Sequence, residues 1–334
     1  MEFPPLLGLL VVLALLFDFT NGFHDAANAI ATIVATKAMS LPTALLMSAL
    51  CNLVGAFVAT GVAQTIEHGL IRAVPDPYLA LVVLLSALVG AIAWNLGTWW
   101  FGLPSSSSHA LIGGLVGAGW VYGRAEEIIW SGLGQKVVVP MLISPVLAGV
   151  VAIACLAIIE QISKLITAER LQEILPKLQI AVGALMAFSH GANDAQKSMG
   201  VITLALMGAG VVPSDSAIPR WVVLSCAVAI AIGTYAGGKR IIETVGEKIC
   251  PLDAVSGFVG SAASALTVLL GSLLGLPLST THVVIGGVTG AGYGRSRQIN
   301  WLTWRNMGLA WLTTLPGSAL ISGVMFVLFR AILL

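Results

Sequence analysis

The chain has 334 residues, of which 57% are hydrophobic and only 9% are charged. A soluble domain carries roughly a quarter charged residues, so this composition excludes the soluble globular class. The net charge is +1 and the basic residues form no cluster, which argues against a nucleic acid as partner.

Apolar stretches long enough to cross a bilayer recur from one end of the chain to the other. A transmembrane helix needs about 20 mostly apolar residues. The stretches that qualify are 4–20 leading into 26–36, then 41–63, 79–100, 137–159, 179–211, 220–238, 254–275 and 308–333. We therefore predict an all-α, polytopic membrane protein.

Two segments of the chain are copies of each other. Residues 102–119 and 275–292 both begin Gly-Leu-Pro, continue through hydroxyl residues to a histidine, and end Gly-Ala-Gly, with 11 of 18 positions identical. A second pair, 22–28 and 191–197, has a glycine three residues before an aspartate. The offsets between copies are 173 and 169 residues, so one duplication explains both pairs.

The duplication divides the chain into two repeats. We predict a first repeat at 1–160, a polar cytoplasmic linker at 161–178 and a second repeat at 179–334. Each repeat is expected to contain a broken helix with the aspartate motif, a plain span, a re-entrant hairpin bent at Gly-Leu-Pro, and a final span. An odd number of crossings per repeat inverts the second copy, which is a common construction in transporters.

The positive charges orient the chain in the membrane. With the N-terminus outside, ten basic residues are cytoplasmic: Lys37, Lys164, Arg170, Lys177, Lys239, Arg240, Lys248, Arg295, Arg297 and Arg305. Five are then outside: Arg72, Arg124, Lys136, Arg220 and Arg330. This predicts that both termini are extracytoplasmic, and that the hairpins enter from opposite faces with their tips meeting near the midplane.

Ionisable residues at membrane depth indicate a functional site, because their burial is costly. The candidates are Asp18, Asp25, Asp194, Lys197, His24, His109, His190 and His282. All except Asp18 fall inside the duplicated motifs. The alternative is that paired charges only hold helices together, and it carries most weight for Asp18, which has no counterpart in the second repeat.

The first aspartate motif predicts a cation site. Asn21, Asp25 and Asn28 are spaced to share one helical face. Gly22, and Gly191 in the second copy, would let the helix unwind just before each aspartate. Unwound carbonyls with a carboxylate and an amide oxygen suit a hard cation such as sodium. The carboxylate could instead carry a proton.

The second motif is chemically different. His190, Asp194 and Lys197 occupy the positions of Asn21, Asp25 and Asn28. The Lys197 ammonium could replace one bound cation, or neutralise Asp194. His24 and His190 could carry protons, since the ordinary pKa of histidine lies near 6.5.

The two hairpins predict an anion site. Proline ends the first arm at each Gly-Leu-Pro, and hydroxyl residues then begin the returning arm. These residues are Ser106, Ser107, Ser108, Ser279, Thr280 and Thr281. Two helix N-termini would offer free N–H groups to a phosphate-like anion. The hydroxyls could instead only cap their helices, and His109 and His282 could either orient the loops or contact the anion.

The motifs together resemble those of the inorganic phosphate transporter (PiT) family. Residues 190–198 resemble its duplicated GANDxxN-type signature, residues 21–28 are a second copy, and both Gly-Leu-Pro hairpins look like that family's. The resemblance covers nearly the whole chain. It implies a symporter of orthophosphate with sodium or protons, with an inverted repeat, two re-entrant hairpins and often a dimeric assembly.

The resemblance also assigns residues. Asp25, Asn28, Asn193 and Asp194 would be the cation-linked positions, to which we add Asn21; sodium is expected at Asp25, Asn28 and Asp194. The six hairpin hydroxyls would line the anion site, and we add Gln196 and Lys197 to them. His24 and Lys197 depart from the signature and look like the bacterial branch of low-affinity phosphate permeases, where proton coupling and uptake of metal-phosphate are common.

Three other functions compete with this interpretation. The same machinery could carry sulfate. A serine hydrolase using Ser108 or Thr281 would need a positioned base and an oxyanion site, and the chain has no GxSxG or HExxH motif, so we expect no enzyme. A channel would need no fixed coupling, which two inequivalent halves with buried aspartates disfavour. We therefore predict phosphate symport across the cytoplasmic membrane by alternating access, with no cofactor besides the coupling cation.

Overall fold

The computed structural model describes residues 3–68, 70, 74, 76–123, 126, 128–213, 216–296 and 298–333. This part of the chain is built from helices. In chain order they are α1 (Phe3–Ala35), α2 (Leu41–Gly55), α3 (Gly61–His68), α4 (Pro77–Trp100), α5 (Ser107–Gly123), α6 (Trp130–Leu133), a π-helical turn (Gly134–Val138), α7 (Val139–Ser163), α8 (Ala168–Gly208), α9 (Arg220–Ala236), α10 (Lys239–Glu247), α11 (Ala254–Leu273), α12 (Thr280–Arg295) and α13 (Trp301–Leu333).

The predicted all-α polytopic class is confirmed. Six helical segments among the described residues are long and apolar enough to cross a bilayer, and the bent pair of α9 and α10 could form a seventh. The six are α1, α4, α6 with α7, α8, α11 and α13. Their outer faces are apolar, as a lipid-facing surface requires: Leu142, Val146 and Leu320 are among the large side chains left exposed.

The same order of helices occurs twice along the chain. Helices α1, α2, α3, α4, α5 and α7 correspond to α8, α9, α10, α11, α12 and α13. The segment 161–178, predicted as a linker, holds the end of α7 and the start of α8, so only 164–167 lie between helices. The repeat boundaries and the inverted orientation stay predictions. Of the basic residues used to orient the chain, Arg72, Arg124 and Arg297 lie outside the described residues.

The broken helix of each repeat is not where we predicted it. Helices α1 and α8 run unbroken through Asp25 and Asp194. Gly22 and Gly191 are instead sites of close helix approach, since a Cβ on Gly22 would lie 2.3 Å from the Ile230 carbonyl oxygen and one on Gly191 2.2 Å from that of Asn52. The prediction of unwinding at these glycines is therefore wrong, and the unwound carbonyls expected there are not available.

The break lies one element later in each repeat. Helix α9 ends at Ala236, the next residue Gly237 has a positive φ of 68° that suits a glycine, and α10 is bent from α9 by 71°. Helix α2 likewise stops at Gly55, and α3 begins only at Gly61. The short second pieces, α3 and α10, turn toward the hairpins.

Each short helix holds the hairpin of the other repeat. On α3, the Thr65 hydroxyl donates to the Gly275 carbonyl, 2.8 Å away. On α10, the Thr244 hydroxyl donates to the Gly102 carbonyl at 3.1 Å. Gly102 and Gly275 are the glycines of the two Gly-Leu-Pro bends, and both have positive φ. We call these two contacts the bend clamps.

The returning arms of the hairpins are also exchanged between repeats. Helix α5 packs on α13, where a Cβ on Gly117 would meet the Ala319 backbone. Helix α12 packs on α7, where a Cβ on Gly290 would meet the Gly149 backbone. Glycines thus allow close backbone approach at equivalent places in the two halves, which brings both hairpin tips to the centre of the fold.

Candidate functional site

The carboxylate of Asp25 lies at the centre of the molecule, between the two hairpin tips. It is 3% exposed. Ser107 at the start of α5 donates to Asp25 Oδ2 at 3.5 Å, and Thr281 at the start of α12 donates to Oδ1 at 3.4 Å. His24 Nδ1 lies 2.7 Å from Oδ1. Hydroxyls from both repeats therefore converge on one carboxylate, as the meeting of the tips predicts.

Asn28 continues this contact one turn further along α1. Its amide nitrogen donates to the hydroxyls of Thr280 at 3.3 Å and Thr281 at 3.0 Å. Its amide oxygen is buried and has no hydrogen-bond partner among the described residues. A buried oxygen without a partner is costly, and here it is free to bind a donor or a cation.

Asp194 on α8 is the second buried carboxylate. Lys197 places its ammonium 2.7 Å from Asp194 Oδ1, and both side chains are fully buried. Asn21 on α1 donates to Oδ2 at 3.1 Å, and His190 Nε2 lies 3.6 Å from the same oxygen. Lys197 is thus placed beside Asp194, where it could serve the second of the two roles predicted for it, the neutralisation of Asp194.

Three side chains of the two aspartate motifs come together in a group. Asp25, His190 and Asp194 present ligand atoms that lie within 4.8 Å of one another. His190 is oriented from behind by Asn52 on α2, whose amide oxygen lies 2.9 Å from Nδ1. Asn52 was not among the residues predicted from the sequence; its only signal there is an amide inside an otherwise apolar stretch.

Two of the predicted anion ligands serve as helix caps. Ser106 Oγ accepts from the backbone N–H of His109, and Ser279 Oγ accepts from that of His282, each at 3.2 Å. This is the capping role that the sequence left open, and it fixes the N-termini of α5 and α12. Each capping hydroxyl still has its own proton to donate, because an acceptor hydroxyl remains a donor.

The hairpin tips touch each other through their next residues. Ser108 donates to the carbonyl oxygen of Leu278 in the opposite hairpin at 3.1 Å. The rings of His109 and His282 meet edge to face, 4.9 Å between centroids. His282 also stacks on Trp311 at 4.0 Å. Both histidines therefore pack in the contact between the two hairpins.

Two equivalent residues of the aspartate motifs hold their own hairpins. His24 Nε2 lies 3.2 Å from Thr98 Oγ1 and 3.4 Å from Ser105 Oγ in the first hairpin. Asn193, the counterpart of His24, donates to Ser272 Oγ at 3.0 Å and to the Leu276 carbonyl at 3.1 Å in the second. The substitution of histidine for asparagine thus preserves a contact between motif and hairpin.

Gln196 does not face the hairpin hydroxyls. Its amide oxygen accepts the backbone N–H groups of Val62 at 2.9 Å and Ala63 at 3.3 Å, at the start of α3. Its amide nitrogen donates to the Ala192 carbonyl. Both ends of the side chain are engaged in holding α3, so the anion contact predicted for Gln196 has no support in this geometry.

Comparison with known proteins explains the arrangement. A family model described as "Phosphate transporter family" matches residues 21–322, which includes all four motifs. The chain belongs to the phosphate transporter family. It is a multi-pass membrane protein of a transport family and not an enzyme, and the resemblance stated from the motifs is confirmed.

Curated members of the phosphate transporter family resemble the chain over most of its length. A probable low-affinity inorganic phosphate transporter of Bacillus subtilis is 40% identical over 328 residues, covering 97% of both chains. One from Mycobacterium bovis is 44% identical over 318 residues, covering 95% of this chain and 76% of its own. A solved structure titled "The sodium-dependent phosphate transporter" has a TM-score of 0.90 at 28% identity, covering 98% of this chain and 100% of its own.

Proposed function

We propose that this protein takes up inorganic phosphate across the cytoplasmic membrane by symport with sodium ions or protons, through alternating access. The observation that carries the proposal is the position of the Asp25 carboxylate, within reach of hydroxyls from both hairpins. The relatives named as inorganic phosphate transporters support the substrate. The solved relative named as sodium-dependent supports coupling to a cation.

The hairpin tips supply the anion site. Helices α5 and α12 begin there, so two sets of free N–H groups and two positive dipole ends point toward Asp25. The six hydroxyl residues Ser106 to Ser108 and Ser279 to Thr281 add donors. Lys197 offsets Asp194 and so keeps a second full negative charge from repelling the anion.

Asp25 favours phosphate over sulfate. At neutral pH phosphate keeps a hydroxyl that can donate to a carboxylate, whereas sulfate has no proton to donate. A buried carboxylate aimed at the anion therefore stabilises phosphate and repels sulfate, because unpaired like charges are costly away from water. No feature of the described residues favours sulfate, so it remains only as a competitor in the experiment below.

The cation site is best placed between the two aspartates. The Asp25 and Asp194 carboxylates lie within the group that includes His190. The amide oxygens of Asn21 and Asn28 are buried without partners among the described residues. Carboxylate and amide oxygens suit a hard cation such as sodium. A bound cation would offset the charge of Asp25, which has no lysine partner, and its absence would leave this carboxylate to repel the anion, which is the basis of coupling.

Alternating access follows from the exchange of parts between repeats. Each hairpin is held by the other repeat through its returning arm and its bend clamp. Opening one clamp while the other stays closed would expose the central site to one side at a time. We place both termini outside the cell on the charge distribution. The resemblance also suggests a homodimer and phosphate carried as a metal complex.

The test is uptake of radiolabelled phosphate into proteoliposomes, with imposed sodium and proton gradients varied separately and sulfate added as competitor. Accumulation driven by one gradient and resistant to sulfate would support the proposal and identify the coupling ion. Gradient-driven sulfate uptake without phosphate uptake would show that the substrate is sulfate and not phosphate. A flux indifferent to both gradients would indicate a channel and overturn symport.

A further inference from the structure

A buried carboxyl group outside the duplicated motifs has a hydrogen-bond pattern that distinguishes its two protonation states. Asp18 lies in the middle of α1 and is 0% exposed. Its Oδ1 lies 2.6 Å from Ser198 Oγ on α8. Its Oδ2 is buried and has no hydrogen-bond partner among the described residues. Neighbouring Ala14 and Phe17 are fully buried apolar residues.

Ser198 is positioned between Asp18 and a backbone carbonyl. Its hydroxyl oxygen lies 3.2 Å from the Ala14 carbonyl oxygen as well as 2.6 Å from Asp18. A serine hydroxyl has one proton, so two acceptors must share it and each bond is weaker than a full one. With Asp18 ionised, Ser198 is the shared donor of Asp18 and Ala14.

Protonation of Asp18 resolves this conflict. The carboxylic acid then donates from Oδ1 to Ser198 Oγ, and Ser198 donates in turn to Ala14. Both observed distances then become full hydrogen bonds in one continuous chain. An uncharged Oδ2 without a hydrogen-bond partner costs far less free energy to bury than a charged carboxylate oxygen without one.

The surrounding charges do not balance an ionised Asp18. Asp194 and Lys197 on α8 are the charged groups near it, and they are paired with each other at 2.7 Å. The thiol of Cys226 on α9 also faces Asp18 and is a weak hydrogen-bond donor to its carboxyl group. Helices α2, α4, α5 and α11, which also contact α1, carry no Asp, Glu, Lys or Arg, and α9 carries only Arg220, at its exposed start. The charged residues of α10 lie on a helix that packs on α1 beyond Asp18, near Phe23 and Ala31. An ionised Asp18 would therefore draw Lys197 away from Asp194.

We propose that Asp18 is a proton-binding site of the transport cycle, whose protonation leaves Lys197 paired with Asp194. Release of the proton makes Asp18 a competitor for Lys197 and uncovers the charge of Asp194 beside the anion site. Ser198 links the two events, because it lies four residues after Asp194 on α8 and bonds Asp18 directly. This inference rests on the symport function proposed above and names the residue that carries a proton in it.

Infrared spectroscopy tests the bound proton directly. Purified wild-type protein and Asp18→Asn are compared at neutral pH in the region of the protonated carboxyl C=O stretch. We expect a band in the wild type that Asp18→Asn lacks and that Ser198→Ala shifts in frequency, because the acid loses its hydrogen bond. Ser86→Ala is the matched control, since that buried serine bonds only within α4, and it should leave the band in place. A spectrum identical in wild type and Asp18→Asn overturns the proposal.

Proton counting tests the role in transport. Phosphate uptake into proteoliposomes that contain a pH-sensitive dye should move protons with the wild type, and Asp18→Asn should lose this proton movement. Protons that move with phosphate at the wild-type ratio in Asp18→Asn would overturn the proposal, and so would wild-type uptake that moves sodium but no protons. Wild-type protein that takes up no phosphate under any gradient would instead contradict the proposed function itself.

Discussion

Asn21 on α1 and Asp194 on α8 are joined by a hydrogen bond of 3.1 Å between the two repeats. The donor is one of the residues predicted to bind the cation, and the acceptor is the carboxylate that Lys197 neutralises. The two aspartate motifs are therefore in direct contact, and in the function proposed above they form one site.

This contact predicts that loss of the Asp194 charge breaks coupling. In Asp194→Asn the Lys197 ammonium has no counter-charge, and the proposed cation loses one of its two carboxylates. We expect the dependence of phosphate uptake on the driving gradient to fall by about tenfold or more, because an interaction with a charged group is worth roughly 1.5–3 kcal/mol and about 1.4 kcal/mol corresponds to tenfold. The measurement is initial uptake rate against imposed gradient in proteoliposomes.

Asp76→Asn is the control for that variant. Unlike the buried Asp194, Asp76 is an exposed carboxylate, and its role is to cap α4. Its replacement should leave the gradient dependence unchanged. Full cation dependence in Asp194→Asn would remove Asp194 from the coupling site.

A second prediction concerns the buried ion pair. Lys197→Met leaves Asp194 as an uncompensated buried charge and should destabilise the protein by about 3–5 kcal/mol. The double variant Lys197→Met with Asp194→Asn removes both charges and should recover most of that loss. Thermal unfolding of the purified proteins in one detergent gives the comparison. Equal destabilisation of the single and double variants would show that Lys197 is not held mainly by its pairing with Asp194.

A third prediction separates close packing from helix unwinding. Gly22→Ala and Gly191→Ala would each place a Cβ against a backbone carbonyl, so both should lower stability and transport. Gly97→Ala on α4 is the matched control, because a Cβ there meets no atom within 4 Å. It should be neutral or stabilising by roughly 0.5–1 kcal/mol, the difference in helix propensity. Thermal unfolding measures the stability of each variant, and uptake assays measure its transport. Wild-type stability and transport in Gly22→Ala and Gly191→Ala would contradict the packing shown by the structure.

A fourth prediction uses the symmetry of the bend clamps. Thr65→Val removes the bond to Gly275, and Thr244→Val removes the bond to Gly102. Each lost hydrogen bond should loosen its own bend by about 1 kcal/mol. Hydrogen exchange should then rise at 274–279 in the first variant and at 101–106 in the second. Thr313→Val, on the outer surface of α13, should change neither segment. Equal changes at both bends in either variant would show that the clamps do not act separately.

The sequence predicted the membrane class and two hairpins whose tips meet, because both follow from local patterns of residue types and their duplication. It misplaced the helix break. In a sequence, a glycine that unwinds a helix cannot be distinguished from a glycine that lets a neighbouring backbone approach. Only the position of Ile230 beside Gly22 in the structure shows that Gly22 has the second role. Gln196 was misassigned for a similar reason, since its partners on α3 are more than 130 residues away in sequence.

The roles of the bend clamps and of Asn52 could not be predicted from the sequence. Their significance depends on contacts between repeats, such as the bond from Thr65 to Gly275, and no periodicity within one helix reports such a contact. The sequence did single out Asp18 by its depth. The protonation state that we propose for Asp18 rests on the contacts of Ser198 with Asp18 and Ala14, which no pattern in the sequence reports.

The most direct test of the account is competition between phosphate and sulfate in the wild type and in Asp25→Asn, measured as inhibition of radiolabelled phosphate uptake by sulfate at neutral pH. Asp25 is the only side chain that the described hydrogen bonds connect to hydroxyls of both hairpins. We predict that sulfate inhibits the wild type weakly and Asp25→Asn much more strongly relative to phosphate, because the negative charge that disfavours an anion without a proton is gone. Equal discrimination between the two anions by both proteins would contradict the central place of Asp25 in the site.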